Sequence, residues 1–77
     1  MIYDPADYET RHPAVREIMR WFDYDHLSGA PRTTAYSVSE LAKTMVDETP
    51  DSAELTAGLR KLLEAKDCFV RASVDSV

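Results

Sequence analysis

The sequence predicts an all-α fold: a short N-terminal helix, then an antiparallel αα-hairpin with a long C-terminal helix, in one domain over residues 1–77. Three observations predict it. Only two glycines occur in 77 residues. No segment alternates apolar and polar residues with the period of two that a strand requires. Three segments repeat apolar residues at the i, i+3, i+4, i+7 spacing that lines one helix face.

The first helix is expected from about Pro13 to Tyr24. Pro13 suits the first helical position, where its missing N–H costs nothing, and Val15, Ile18, Met19 and Phe22 form the buried stripe. Residues 1–12 are polar and expected to be flexible or extended. The stretch Asp25 to Thr34 carries Ser-Gly and Pro and reads as a loop. The second helix is expected from about Ser37 to Glu48, with Ser37 and Glu40 at capping-box spacing and an earlier start at Thr34 as the alternative. Val38, Leu41, Ala42 and Met45 are its apolar stripe, and Thr49-Pro50 stops it. The third helix is expected from Asp51 to Ala72, with Leu55, Leu59, Leu62, Phe69 and Val70 on its apolar face. The few residues between the second and third helices make them antiparallel neighbours. The third outruns the second on this reading, so its overhanging stripe needs cover from the first helix or from another subunit.

A chain this short buries a small fraction of its surface and usually needs a staple. Its one cysteine, Cys68, cannot close an intrachain disulfide. Homo-oligomerisation is therefore the expected staple, and a single unpaired thiol suits a reducing cytoplasm. A net charge of −5 argues against wrapping long nucleic acid, which needs a basic stripe. It leaves room for a compact phosphate ligand in one basic pocket. No apolar run reaches the length of a membrane span, and no signal-peptide pattern is read, so a cytoplasmic protein is expected.

Signatures of catalysis are missing from the sequence: no G-x-S-x-G, no H-E-x-x-H and no P-loop. No second ligand stands at metal spacing from His26, and no cofactor motif is read. The candidates are binding residues. Lys66 falls inside the third helix's apolar stripe; either it snorkels to the edge with its stem packed, or it meets a carboxylate or phosphate at a subunit junction. Arg71 lies on a charged face with Arg60, Glu64 and Asp67, as an ordinary solvated face or as a phosphate fork. Tyr36, Ser39 and Lys43 share the back of the second helix, an aromatic plate with a hydroxyl and a cation that can stack a base and hold a phosphate. The alternative is ordinary surface. In Trp21-Phe-Asp-Tyr-Asp-His-Leu27, Trp21 and Phe22 read as packing residues, while Tyr24 and His26 can expose polar tips at a helix exit. Arg32 adds a cation to the hydroxyl-rich loop, which can close over a phosphate or be any polar loop.

The order F-D-Y-D-H-L, a short segment, S-x-L-A-x-x-M-V, a Pro, and then E-L-T-A-G-L-R-K-L-L-E-A-K-D-C-F-V-R-A resembles the phage anti-CBASS sponge proteins, in their actinobacteriophage-like branch. The resemblance covers Trp21 to Ala72. It implies a helical homohexamer that sequesters cyclic dinucleotides, cyclic trinucleotides or both, without catalysis, in the host cytoplasm. It implies base stacking by Tyr24 and phosphate contacts by Lys43, Lys66 and Arg71. Two positions depart from the family pattern: Asp25 separates Tyr24 from His26, and Glu40 stands where a cation is expected. A small acidic module that inhibits or bridges a host protein fits the same charge and apolar stripes. A hydrolase of such messengers would need turnover and a metal-ligand set.

Overall fold

The computed structural model describes residues 3–74. These are helical, with no strand among them. A 3-10 turn at Pro5–Tyr8 precedes α1, Pro13–Met19, which tightens into a second 3-10 turn at Arg20–Phe22. Helices α2, Gly29–Glu48, and α3, Ala53–Val74, follow. No described helix is long and apolar enough to cross a membrane.

Helix α1 starts as its sequence dictates, with Pro13 in the first turn and His12 as N-cap. His12 Nδ1 accepts the Ala14 N–H at 3.0 Å. Val15, Ile18, Met19 and Phe22 are all buried, but the helix ends at Met19, five residues before the expected Tyr24. Asp23 is extended, and burial of Phe22 and Tyr24 on either side of it follows strand-like alternation. In the segment expected to be flexible or extended, Pro5–Tyr8 is capped by the Asp4 carboxylate. Tyr8 is buried against the core, and that burial, with Asp7 and Asp47 nearby, pushes its hydroxyl pKa up. Residues 1 and 2 of that segment lie outside the described residues.

Helix α2 is the main correction. It begins at Gly29, eight residues before Ser37, and absorbs the stretch expected to be a loop. Gly29 enters with φ +67°, which glycine adopts without the Cβ penalty. Pro31 falls in the first turn, where backbone N–H groups have no intrahelical partner. The hydroxyls that resemble loop chemistry turn back onto the helix: Thr33 donates to the Gly29 carbonyl and Ser37 to the Thr33 carbonyl, both at 3.3 Å. Ser37 is thus an interior residue and not a cap. The buried stripe is Ala35, Ser39, Ala42 and Val46; Leu41 and Met45, expected inside, are exposed. Small side chains at the true contact let α3 and the Trp21–Tyr24 segment approach closely.

Thr49 is extended before Pro50, as steric clash with the proline ring requires. Ser52, and not Asp51, caps α3: its hydroxyl accepts the Leu55 N–H at 3.1 Å. Asp51 instead accepts from Arg11 Nε at 2.7 Å and from the His12 N–H at 2.6 Å. Those bonds, the His12 amide first, hold its carboxyl below the ordinary value. Arg11 also donates to the Val46 and Thr49 carbonyls, at 2.6 and 2.7 Å, serving orphan acceptors at the end of α2. One arginine thereby clamps the N-terminal segment to the hairpin turn. Helices α2 and α3 have 20 and 22 residues, about 30 and 33 Å. The expected overhang of α3 beyond a much shorter partner is therefore absent.

Candidate functional site

Between Phe22 and Gly29 the chain has no regular helix, so its backbone carbonyls need other donors. Three side chains supply them. Lys66, reaching from α3, donates to the Trp21 carbonyl at 3.0 Å. Ser39, from α2, donates to the Phe22 carbonyl. Arg32, one turn into α2, uses a single nitrogen, Nη1, toward the carbonyls of Tyr24, Asp25 and Leu27 at 3.1, 3.2 and 3.1 Å. The aromatic segment is thus fastened along its length to both helices of the hairpin.

This fastening places Tyr24 against α2. The guanidinium carbon of Arg32 lies 5.3 Å from the Tyr24 ring centroid, a cation–π distance. Tyr36, one turn further along, meets Tyr24 edge-on, with centroids 5.4 Å apart and planes at 89°. Tyr24, Arg32, Thr33 and Tyr36 line an open cleft of about 310 Å³. Tyr24 is buried, while Tyr36 is 49% exposed, so the Tyr36 ring is the one available to a ligand. The cleft brings together one half-exposed aromatic face, one guanidinium with N–H groups beyond those on the backbone, and the Thr33 hydroxyl, whose proton goes to the Gly29 carbonyl and which therefore offers an acceptor. Such a set can stack a planar base and hold an anionic oxygen.

Three of the eight residues singled out from sequence, Tyr24, Arg32 and Tyr36, therefore converge. The other five do not join them. Ser39, expected beside Tyr36 on an open face, is buried and committed to the Phe22 carbonyl. Lys66 is 8% exposed; besides the Trp21 carbonyl its ammonium meets Asp67 Oδ1 at 3.1 Å, so within this chain it is an internal tie. Lys43 is half-buried, with Nζ 3.4 Å from Glu40 Oε1. Arg71 is exposed on the last turn of α3, with Nη2 3.4 Å from Cys68 Sγ. His26 is exposed on the turn after Tyr24 and is not among the residues lining the cleft. Thr33 was not singled out by sequence; it was one of several hydroxyls in a stretch read as loop, and only helical spacing puts it beside Arg32 and Tyr36.

A larger hollow, about 670 Å³, lies against α1 and includes Tyr3, Arg16, Glu17, Arg20 and Asp23. Its character is less suited to an anion, because Glu17 pairs with Arg20 at 3.2 Å and Asp23 adds a second acid. Tyr3 is stacked on Tyr8 at 5.8 Å. Among the described residues no group of three His, Cys, Asp or Glu side chains is placed to hold a metal ion.

No family model, curated protein or solved structure matches this chain.

Proposed function

We propose that this chain is a non-enzymatic binding protein that sequesters cyclic di- or trinucleotide immune messengers and so blocks CBASS-type antiphage signalling, acting as a homo-oligomer, a hexamer by the resemblance, in the host cytoplasm. The observation that carries this reading is the convergence of Tyr24, Arg32 and Tyr36 at the start of α2. A cyclic oligonucleotide presents flat bases and phosphodiesters on one compact ring. Tyr36 offers a stacking face, and Arg32 offers the local cation that an acidic chain needs for a phosphate. Relative to the roles implied by the resemblance, the phosphate contact moves from Lys43, Lys66 and Arg71 to Arg32, and the stacking face from Tyr24 to Tyr36, with Tyr24 holding both in place.

Native mass spectrometry with a panel of cyclic di- and trinucleotides tests this reading. A bound complex is expected, weakened about 5- to 150-fold by Tyr36→Ala, given stacking of about 1–3 kcal/mol per base. Denaturation should release the ligand chemically unchanged. Absence of binding across the whole panel would sink the proposal, and turnover of the ligand would replace it with an enzyme. A second reading, a small acidic module that inhibits or bridges a host protein, is favoured by the exposed apolar side chains of Leu41, Met45 and Phe69. Specific retention of one host protein, unaffected by Tyr36→Ala or Arg32→Ala, would favour it.

A further inference from the structure

The apolar stripe of α3 is covered by the monomer at Leu55, where it joins the core, and left open toward the C-terminus, at Phe69 and Ala72. Leu55, Leu62 and Phe69 recur every seven residues, and so do Gly58, Ala65 and Ala72. These are the a and d positions of a heptad, large at one and small at the other. Leu55 is buried in the chain's own core, but the stripe opens toward the C-terminus, where Phe69 is 57% exposed.

Gly58 has no account within one chain. It sits inside α3, where glycine costs about 1 kcal/mol relative to alanine, and a Cβ built there meets nothing within 4 Å. No close neighbour demands a glycine. Around it, Leu41 and Met45 of α2 and Leu55 and Leu62 of α3 wall an apolar hollow of about 440 Å³.

The pattern is complementary to itself. If a second α3 runs antiparallel about a two-fold axis between Leu63 and Glu64, Leu55 falls opposite the second copy's Ala72, Leu62 opposite its Ala65, and Phe69 opposite its Gly58. On the open part of the stripe Leu62 and Phe69 each meet a small residue, and the exposed Phe69 ring meets the notch in the opposite helix. Two-fold symmetry makes both copies give a knob and receive one. The face formed by α2 and α3 measures roughly 30 by 20 Å, so about 600 Å² is covered on each copy, close to 1,200 Å² in total and enough for a specific interface.

We propose that the α2–α3 face is an isologous interface with a second copy of this chain, closed by Phe69 of each copy in the Gly58 hollow of the other. The product is an antiparallel four-helix bundle, and it can be a whole dimer or the repeating unit of a larger even-numbered assembly. The Tyr24–Arg32–Tyr36 cleft takes no part in it, so the proposal stands independently of what that cleft binds.

Sedimentation equilibrium without any nucleotide tests it, on the wild type, Phe69→Ser and Gly58→Leu. Phe69 is exposed, so Phe69→Ser leaves the monomer core intact; Gly58→Leu fills the hollow while raising helix propensity, and circular dichroism reports folding of both. The wild type is expected as a dimer or an even multiple. Each variant should remain helical and halve the mass at concentrations where the wild type is assembled, with association weakened at least about tenfold, the scale for losing a central aromatic anchor. A monomeric wild type at the highest concentration, or a folded pair of variants that keep the wild-type mass, overturns the interface.

Discussion

Lys66→Met tests the tie that holds the site's aromatic segment. Methionine keeps the length and apolar stem of lysine, so packing of the nearly buried side chain is largely preserved. What it loses is the donor 3.0 Å from the Trp21 carbonyl. Leaving such an acceptor unserved costs about 1–3 kcal/mol. Two terms oppose each other on the remainder. Removing an ammonium from a poorly hydrated position is favourable. Losing the contact with Asp67 is unfavourable but small, because Asp67 is half-exposed and pairs of that kind contribute about 0–1 kcal/mol. The net expectation is about 1–2 kcal/mol of destabilisation, a fall in Tm of about 5–15 °C for a domain of this size. Urea unfolding followed by Trp21 fluorescence and by circular dichroism, at one fixed protein concentration, should show a lower midpoint with an unchanged slope. Asp67→Asn should lower stability by no more than about 1 kcal/mol. A Lys66→Met midpoint equal to or above wild type refutes the assignment of Lys66 as an internal tie, and returns it to the surface chemistry of a ligand or partner.

Ser39→Ala removes the other donor to this segment, a buried hydroxyl serving the Phe22 carbonyl; destabilisation of about 1–3 kcal/mol is expected by urea unfolding, and because both residues hold one segment the double variant with Lys66→Met should depart from additivity. Asp51 supplies a pH signature. Its folded pKa lies below the ordinary carboxylate value through the His12 amide and Arg11, so the folded state binds fewer protons there than the unfolded chain. That contribution is complete above about pH 4, the unfolded carboxylate range, and is lost as pH falls through the lower folded value. Asp51→Asn should flatten the acid limb of a Tm-against-pH curve, and an unchanged limb would show that the clamp contributes nothing.

Sequence periodicity by itself determined the helical class, the hairpin and the stripe of α1. Those features depend on residues within a few positions of one another: Pro13 at a helix start, Thr49-Pro50 at a stop, and Val15, Ile18, Met19 and Phe22 repeating along one face. It also brought Tyr24, Arg32 and Tyr36 into consideration. The start of α2 was not legible, because Ser, Gly, Pro and Thr carry the same local signal in a loop as in the first turns of a helix. Whether Thr33 and Ser37 hydroxyls turn to solvent or back to the preceding turn is decided by where the rest of α2 packs. The face of α2 was misread for a related reason: Leu41 and Met45 are more apolar than Ala35 and Ser39, yet close approach of α3 and the Trp21–Tyr24 segment favours the smaller pair inside.

Only the tertiary structure decided the roles of the polar residues. From sequence, Lys66, Ser39 and Arg32 each carry a ligand reading beside a plain one: a snorkelling stem for Lys66, ordinary surface for Ser39 and a polar loop for Arg32. Their partners are backbone carbonyls at Trp21, Phe22, Tyr24, Asp25 and Leu27, between 5 and 45 positions away in the chain. A carbonyl is present at every residue and leaves no mark in the sequence. Which carbonyls lack a helical donor depends on where α1 stops and how the next segment lies across α2 and α3, and that is settled by packing between elements and by no local pattern.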